Sequence, residues 1–252
     1  MDTTTQVLSI LVLLIGLIVT AIVPQFVRRR RDSAVLRRQA AYAAIPAMAT
    51  TAVEAGQSMI VGMGDAGVGG ESTLLAIAAE AVAYHTVAAA AYGDRMPVVT
   101  TSSGTGLPLA IEAVRAAFRE HNLPAPSGSA RWIPAGSRSL AYAAAMTAYV
   151  AADRSPTQVM VGRFGPEIAL IGEASVRRGA PFIGATDRLD GQAVAYAFSK
   201  TPLIGEELFQ ASAYLSDRAV RRGEAVAMDI LRWLLIAAVI AVAAARIVGA
   251  GG

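Results

Sequence analysis

The 252-residue chain is 54% apolar and only 16% charged, well short of the roughly 25% charge of an ordinary soluble domain, so an entirely water-facing protein is excluded. With no cysteine, and with His85 and His121 as its two histidines, it excludes disulfides, thiolate metal sites, a cysteine nucleophile and a histidine-rich metal centre. The net charge of +3 sits in arginines that flank two apolar stretches, and the remainder is slightly acidic, which excludes a phosphate-binding groove and a nucleic-acid partner.

The first apolar stretch, residues 7–27 (VLSILVLLIGLIVTAIVPQFV), approaches the roughly 20 residues that a bilayer core requires. No basic residue precedes it, and Arg28 to Arg31, Arg37 and Arg38 follow it. Positive charge stays on the cytoplasmic side, so the N-terminus is expected outside and the following domain inside. A cleaved signal peptide would show the reverse order, with a basic start and a shorter apolar core. Residues 28–56 read as a basic juxtamembrane segment followed by an alanine-rich helical stalk, with Pro46 as a kink or break because it lacks an N–H donor.

From residue 57 to 229, short runs rich in Val and Ile alternate with longer amphipathic ones. The predicted strands are 58–63, 96–101, 130–134, 157–162, 180–185 and 200–205, with runs of helix length between them, as where Leu109, Ala113, Ala116 and Ala117 recur at helical spacing. Strict alternation of strand and helix implies parallel strands with helical crossovers. The expected fold is α/β, a Rossmann-like parallel sheet of five or six strands with helices on both faces. The second apolar stretch, 230–248, is the predicted C-terminal span. It is preceded by Arg218, Arg221, Arg222 and Arg232, with Trp233 at its inner interface and Arg246 near its outer end, so both termini are expected outside an inner membrane.

In an open parallel sheet, ligands bind beyond the carboxyl ends of the strands. After the first strand the sequence offers Gly62-Met63-Gly64-Asp65-Ala66-Gly67, a literal GxGxxG. Asp65 and Glu71 put negative charge where a pyrophosphate would lie, and no acidic residue ends the second strand, so a tight turn is the competing reading. Thr100 to Gly106 form a hydroxyl-rich loop in which Ser102 and Ser103 could bind a polar ligand or could cap the next helix. Arg163 follows the fourth strand, with Pro166 and Glu167 suited to a first helical turn. Asp187, Glu206 and Glu207 fall at later strand ends, where carboxylates could serve acid–base chemistry or favour a helix start. Neither a GxSxG nucleophile elbow nor a histidine with an evident Ser or Asp partner is present, no cofactor is specified, and no metal site is expected.

At GRFGPEIALIGEA, FIGATD, QAVAYAFSKTPLIGEELFQASAYLS and DILRWLLI the chain resembles a family of uncharacterised bacterial membrane proteins carrying a domain of unknown function. The resemblance covers roughly residues 50–240. It implies the membrane-flanked α/β layout and no particular reaction. Three expectations follow. The first is a membrane-anchored scaffold or ligand-sensing module, homo-oligomeric through the small residues Ala237, Ala238, Ala241 and Ala243 to Ala245, with the lipid bilayer as its partner. The second is an enzyme or nucleotide-binding protein of the cytoplasmic face using the strand-end rim. The third is a subunit of a larger membrane complex, which predicts other membrane-complex subunits as partners.

Overall fold

The computed structural model describes residues 39–152 and 157–215, together with 12, 14–22, 25, 227 and 230–240. The chain divides into two compact units, Met1–Arg37 with Ser216–Gly252, and Arg38–Leu215. In the first unit the described residues are helical, including Ile230–Ile240. At roughly 1.5 Å per residue that helix is shorter than a bilayer core, and the rest of the expected spans at 7–27 and 230–248 lies outside the described residues. Among the described residues one helix is long and apolar enough to cross a membrane, Thr73–Ala90, and half of it is buried in the second unit as a core helix.

The second unit is built on five parallel strands: β1 (Met59–Gly64), β2 (Val98–Thr101), β3 (Ala130–Trp132), β4 (Thr157–Arg163) and β5 (Phe182–Thr186). Their order is β3-β2-β1-β4-β5, so the chain starts in the middle and reverses its winding between β1 and β4. The expected sixth strand at 200–205 does not form. Leu203 alone makes a parallel bridge, to Ala185. Pro202 cannot donate to a ladder, and Gly205 at φ +64° turns the chain into a 3-10 segment, Gly205–Gln210. Glu206 and Glu207 therefore belong to that turn and not to a strand end.

Seven helices cover the sheet: α1 (Ala40–Glu54), α2 (Thr73–Ala90), α3 (Leu107–Glu120), α4 (Leu140–Ala152), α5 (Ile168–Arg177), α6 (Leu189–Phe198) and α7 (Ala211–Leu215). Alternate strand residues feed two cores, as the period of two requires. Met59, Val61, Met63, Val159 and Val161 pack under α1, α2 and α3, and Ile60 and Met160 under α4 and α5. Of the segment 28–56, expected as a basic stretch and a stalk, residues 28–38 lie outside the described residues, and Ala40–Glu54 forms α1. Its Ala41, Tyr42, Ile45, Ala49 and Ala52 are buried in the first core, so it is an integral layer of the fold, and Pro46 lies inside the helix without ending it. Its alanines let it lie close to α2, a contact that composition alone does not reveal.

Candidate functional site

The carboxyl ends of the strands form a crest at which the predicted site residues can be located one by one. Gly62 and Gly64 are inside β1 and not in a loop. A Cβ at Gly62 would overlap the Met160 sulfur and crowd the Tyr142 hydroxyl, and one at Gly64 would overlap the Arg163 carbonyl oxygen. Gly64 also has φ +54°, which favours glycine. Gly67 abuts the Ser103 and Thr105 hydroxyls. Helix α2 starts only at Thr73. The glycines thus permit close packing of strands and loops. The motif does not present bare backbone at a helix N-terminus, the arrangement that cradles a phosphate.

The hydroxyl-rich loop is likewise used for joining strand ends. Helix α3 has Gly106 at its N-cap and no side-chain cap, so the capping reading is not what forms. The Thr101 hydroxyl donates to the Gly64 carbonyl oxygen (3.2 Å) and accepts from the Ser103 N–H (3.1 Å), while Ser103 and Thr105 pair through their hydroxyls at 3.1 Å. The Ser102 N–H donates to Gly64 O (2.8 Å) and the Ser102 carbonyl accepts from Trp132 Nε1 (3.1 Å). Among the described residues the buried Ser102 Oγ has no hydrogen-bond partner. A buried hydroxyl without a partner costs free energy, which makes it a natural place for a ligand atom.

At the reversal point, Arg163 ends β4. Its guanidinium, about a third exposed, lies 3.3 Å from Glu71 on the loop after β1 and 3.8 Å from Asp187 at the end of β5. The Asp65 N–H donates to the Arg163 carbonyl oxygen at 3.1 Å. Glu167 Oε1 accepts from the Gly165 N–H at 2.7 Å, fixing the turn into α5. Thr186 Oγ1 donates to the Phe164 carbonyl (2.8 Å) and accepts from its N–H (3.0 Å), locking β5 to the end of β4. Next to it, Arg188 pairs with Asp190 at 2.7 Å, and hydrogen bonding to that guanidinium holds the Asp190 carboxyl below its ordinary range.

The structure brings Asp65, Ser102, Ser103, Arg163, Glu167 and Asp187 to one rim and places Glu206 and Glu207 beyond β5, where Glu207 Oε1 accepts from the Gln39 amide at 3.0 Å. Sequence reasoning missed Tyr142, which lies beneath the rim with its hydroxyl 2.7 Å from Thr100 Oγ1; burial is the main reason its phenol is held well above the ordinary range. It also missed Trp132 and Tyr42. Their signal was faint, an aromatic residue within a short strand and another within an alanine-rich helix. His121 contacts the Tyr92 hydroxyl (3.1 Å) and the Ala88 carbonyl (3.0 Å) away from the rim, and among the described residues no group of three His, Asp or Glu side chains could hold a metal. The rim is thus a set of hydrogen-bonding groups and a paired arginine, able to recognise a polar ligand.

No curated protein and no solved structure matches the chain. A family model for a domain of unknown function, DUF6754, matches residues 2–251, and the chain belongs to that family.

Proposed function

We propose that this protein is a membrane-anchored scaffold or ligand-sensing module, held at both ends in the inner membrane with the α/β unit on the cytoplasmic side. One observation carries the reading: the α/β unit takes in and releases its chain at a single corner. Tyr42, in the first turn of α1, donates to the carbonyl oxygens of Glu207 (2.7 Å) and Leu208 (3.1 Å) and stacks on Tyr214 of α7. A domain tethered twice to one bilayer needs its two connections on one side. Support comes from the described helical residues outside the unit, where Leu17, Ile18, Trp233, Leu235 and Ile240 expose apolar side chains that lipid would cover. The arginines after residue 27 and before residue 230 set the orientation, and the alanines of 237–245 favour helix packing between copies. The test is alkaline carbonate extraction of membranes with protease treatment of intact cells. The chain is expected to stay in the pellet and its α/β unit to resist external protease; release by carbonate, or digestion from outside, overturns the reading.

A second reading, binding of a small polar ligand at the strand-end rim, is favoured by the buried Ser102 hydroxyl, which has no hydrogen-bond partner among the described residues, on the rim that also carries the Arg163 ion pairs. A thermal-shift screen of nucleotides, sugars and amino acids checks it. A stabilising hit abolished by Arg163→Ala supports it, and an unresponsive panel counts against it.

A further inference from the structure

Away from the rim, a cavity of about 450 Å³ opens beside the amino end of β5, the strand at one border of the sheet. Helices from both faces of the sheet meet there. Helix α1 contributes Met48, α5 contributes Val176 and α6 ends in Phe198, beside the first residue of β5, Phe182. Among the described residues, Lys200 and Thr201 are the polar side chains of the lining. The volume lies within the range of small-molecule sites, which combine apolar walls with a few placed polar groups. Val176 is 54% exposed, so part of the apolar wall is open to water.

Lys200 is the one lysine among the 22 lysines and arginines of the chain. Its main chain is fixed by Ser199, whose buried Oγ donates to the Phe182 carbonyl oxygen (3.1 Å) and accepts from the Thr201 N–H (3.3 Å). The backbone on both sides of Lys200 is thus tied to the start of β5, while Lys200 itself is exposed. Among the described residues no carboxylate pairs with Lys200 or lines the cavity. An ammonium on a slender stem can lie along an apolar wall and offer a single point charge, whereas a guanidinium suits a two-pronged head. We propose that this cavity binds a medium-chain monocarboxylate, its tail against Met48, Val176 and Phe198 and its head on the Lys200 ammonium. The site lies apart from the strand-end rim, and its occupancy rests neither on membrane anchoring nor on a ligand at that rim.

The single lysine makes a direct test possible. The full-length chain is held in an amphipathic polymer free of detergent and treated with an amine-acylating reagent, and modification of Lys200 is followed by mass spectrometry of its peptides. Octanoate is expected to slow that modification saturably and to raise the melting temperature. Octanol, with the tail and no charge, and butyrate, with the charge and a short tail, should do neither at equal concentration. Lys200→Glu should raise the octanoate concentration needed for the melting response by roughly tenfold, as reversal of one partly screened charge does. Met48→Trp, which narrows the cavity, should abolish the response while Lys200 stays open to the reagent; should that chain fail to fold, Val176→Trp at the exposed wall serves instead. Modification that octanoate does not slow overturns the proposal. Equal slowing by butyrate reduces the contact to a surface ion pair, and an equal melting response to octanol reduces it to partitioning of the tail; either result also overturns it.

Discussion

Tyr42 and Tyr214 stack with ring centroids 5.5 Å apart and planes 16° from parallel, joining the first helix of the α/β unit to its last. Tyr42 is almost wholly buried and its hydroxyl serves two carbonyls. Tyr42→Phe is expected to cost about 1–2 kcal/mol by leaving them unsatisfied. Tyr42→Ala, which also removes the ring, should cost about 3–5 kcal/mol. Urea unfolding of the detergent-solubilised chain measures both.

Alkaline pH should destabilise the fold. Burial raises the phenols of Tyr42 and Tyr142, with Glu207 and Tyr214 adding to the effect at Tyr42. A raised folded-state value means the stabilisation is complete below the unfolded value of about 10 and is lost as pH climbs past it toward the folded value. Each phenol can add up to about 1.4 kcal/mol per pH unit to that loss. Melting temperatures should fall with rising pH across this alkaline range, and Tyr42→Phe should flatten that fall.

Gly162 and Gly104 should separate packing from mere loop composition. A Cβ at Gly162 would overlap the Met63 backbone at the register shift between the parallel neighbours β1 and β4, while Gly104 faces open space. Gly162→Ala is expected to lose more than about 3 kcal/mol and Gly104→Ala to stay within about 0.5 kcal/mol of the parent. Paired melting curves decide it.

Ser102→Ala should leave the unliganded protein unchanged or more stable by up to about 1 kcal/mol, since among the described residues the buried hydroxyl has no partner to lose. Arg163→Ala should cost under about 1 kcal/mol, because Glu71 is 89% exposed and screened by water and Asp187 lies 3.8 Å away. Melting temperatures measure both, and a large loss at either position would mean that these groups hold the crest together.

The alternation of Val- and Ile-rich runs with helical ones made β1 to β5 legible, because buried parallel strands need continuous apolar sequence. The run at 200–205 has similar composition, but Pro202 and Gly205 interrupt it and only Leu203 pairs. Helix α1 was hidden for another reason. Alanine suits an exposed connector and a tightly packed layer equally, and only the neighbouring α2 decides between them. At the rim, Arg163 and Asp187 were readable as strand-end residues, whereas the filling of the glycine motif by Met160, Tyr142 and Ser103 depends on side chains distant in sequence.

The sheet's two borders bear on self-association. The outer side of β5 is partly occupied by Leu203, and β3 on the other border offers three residues, one of them the cation Arg131. Neither border gives an incoming chain a long, flat run of free amides to copy. The fold is therefore poorly suited to growing by strand addition into cross-β fibrils, even when its local concentration on a surface is high.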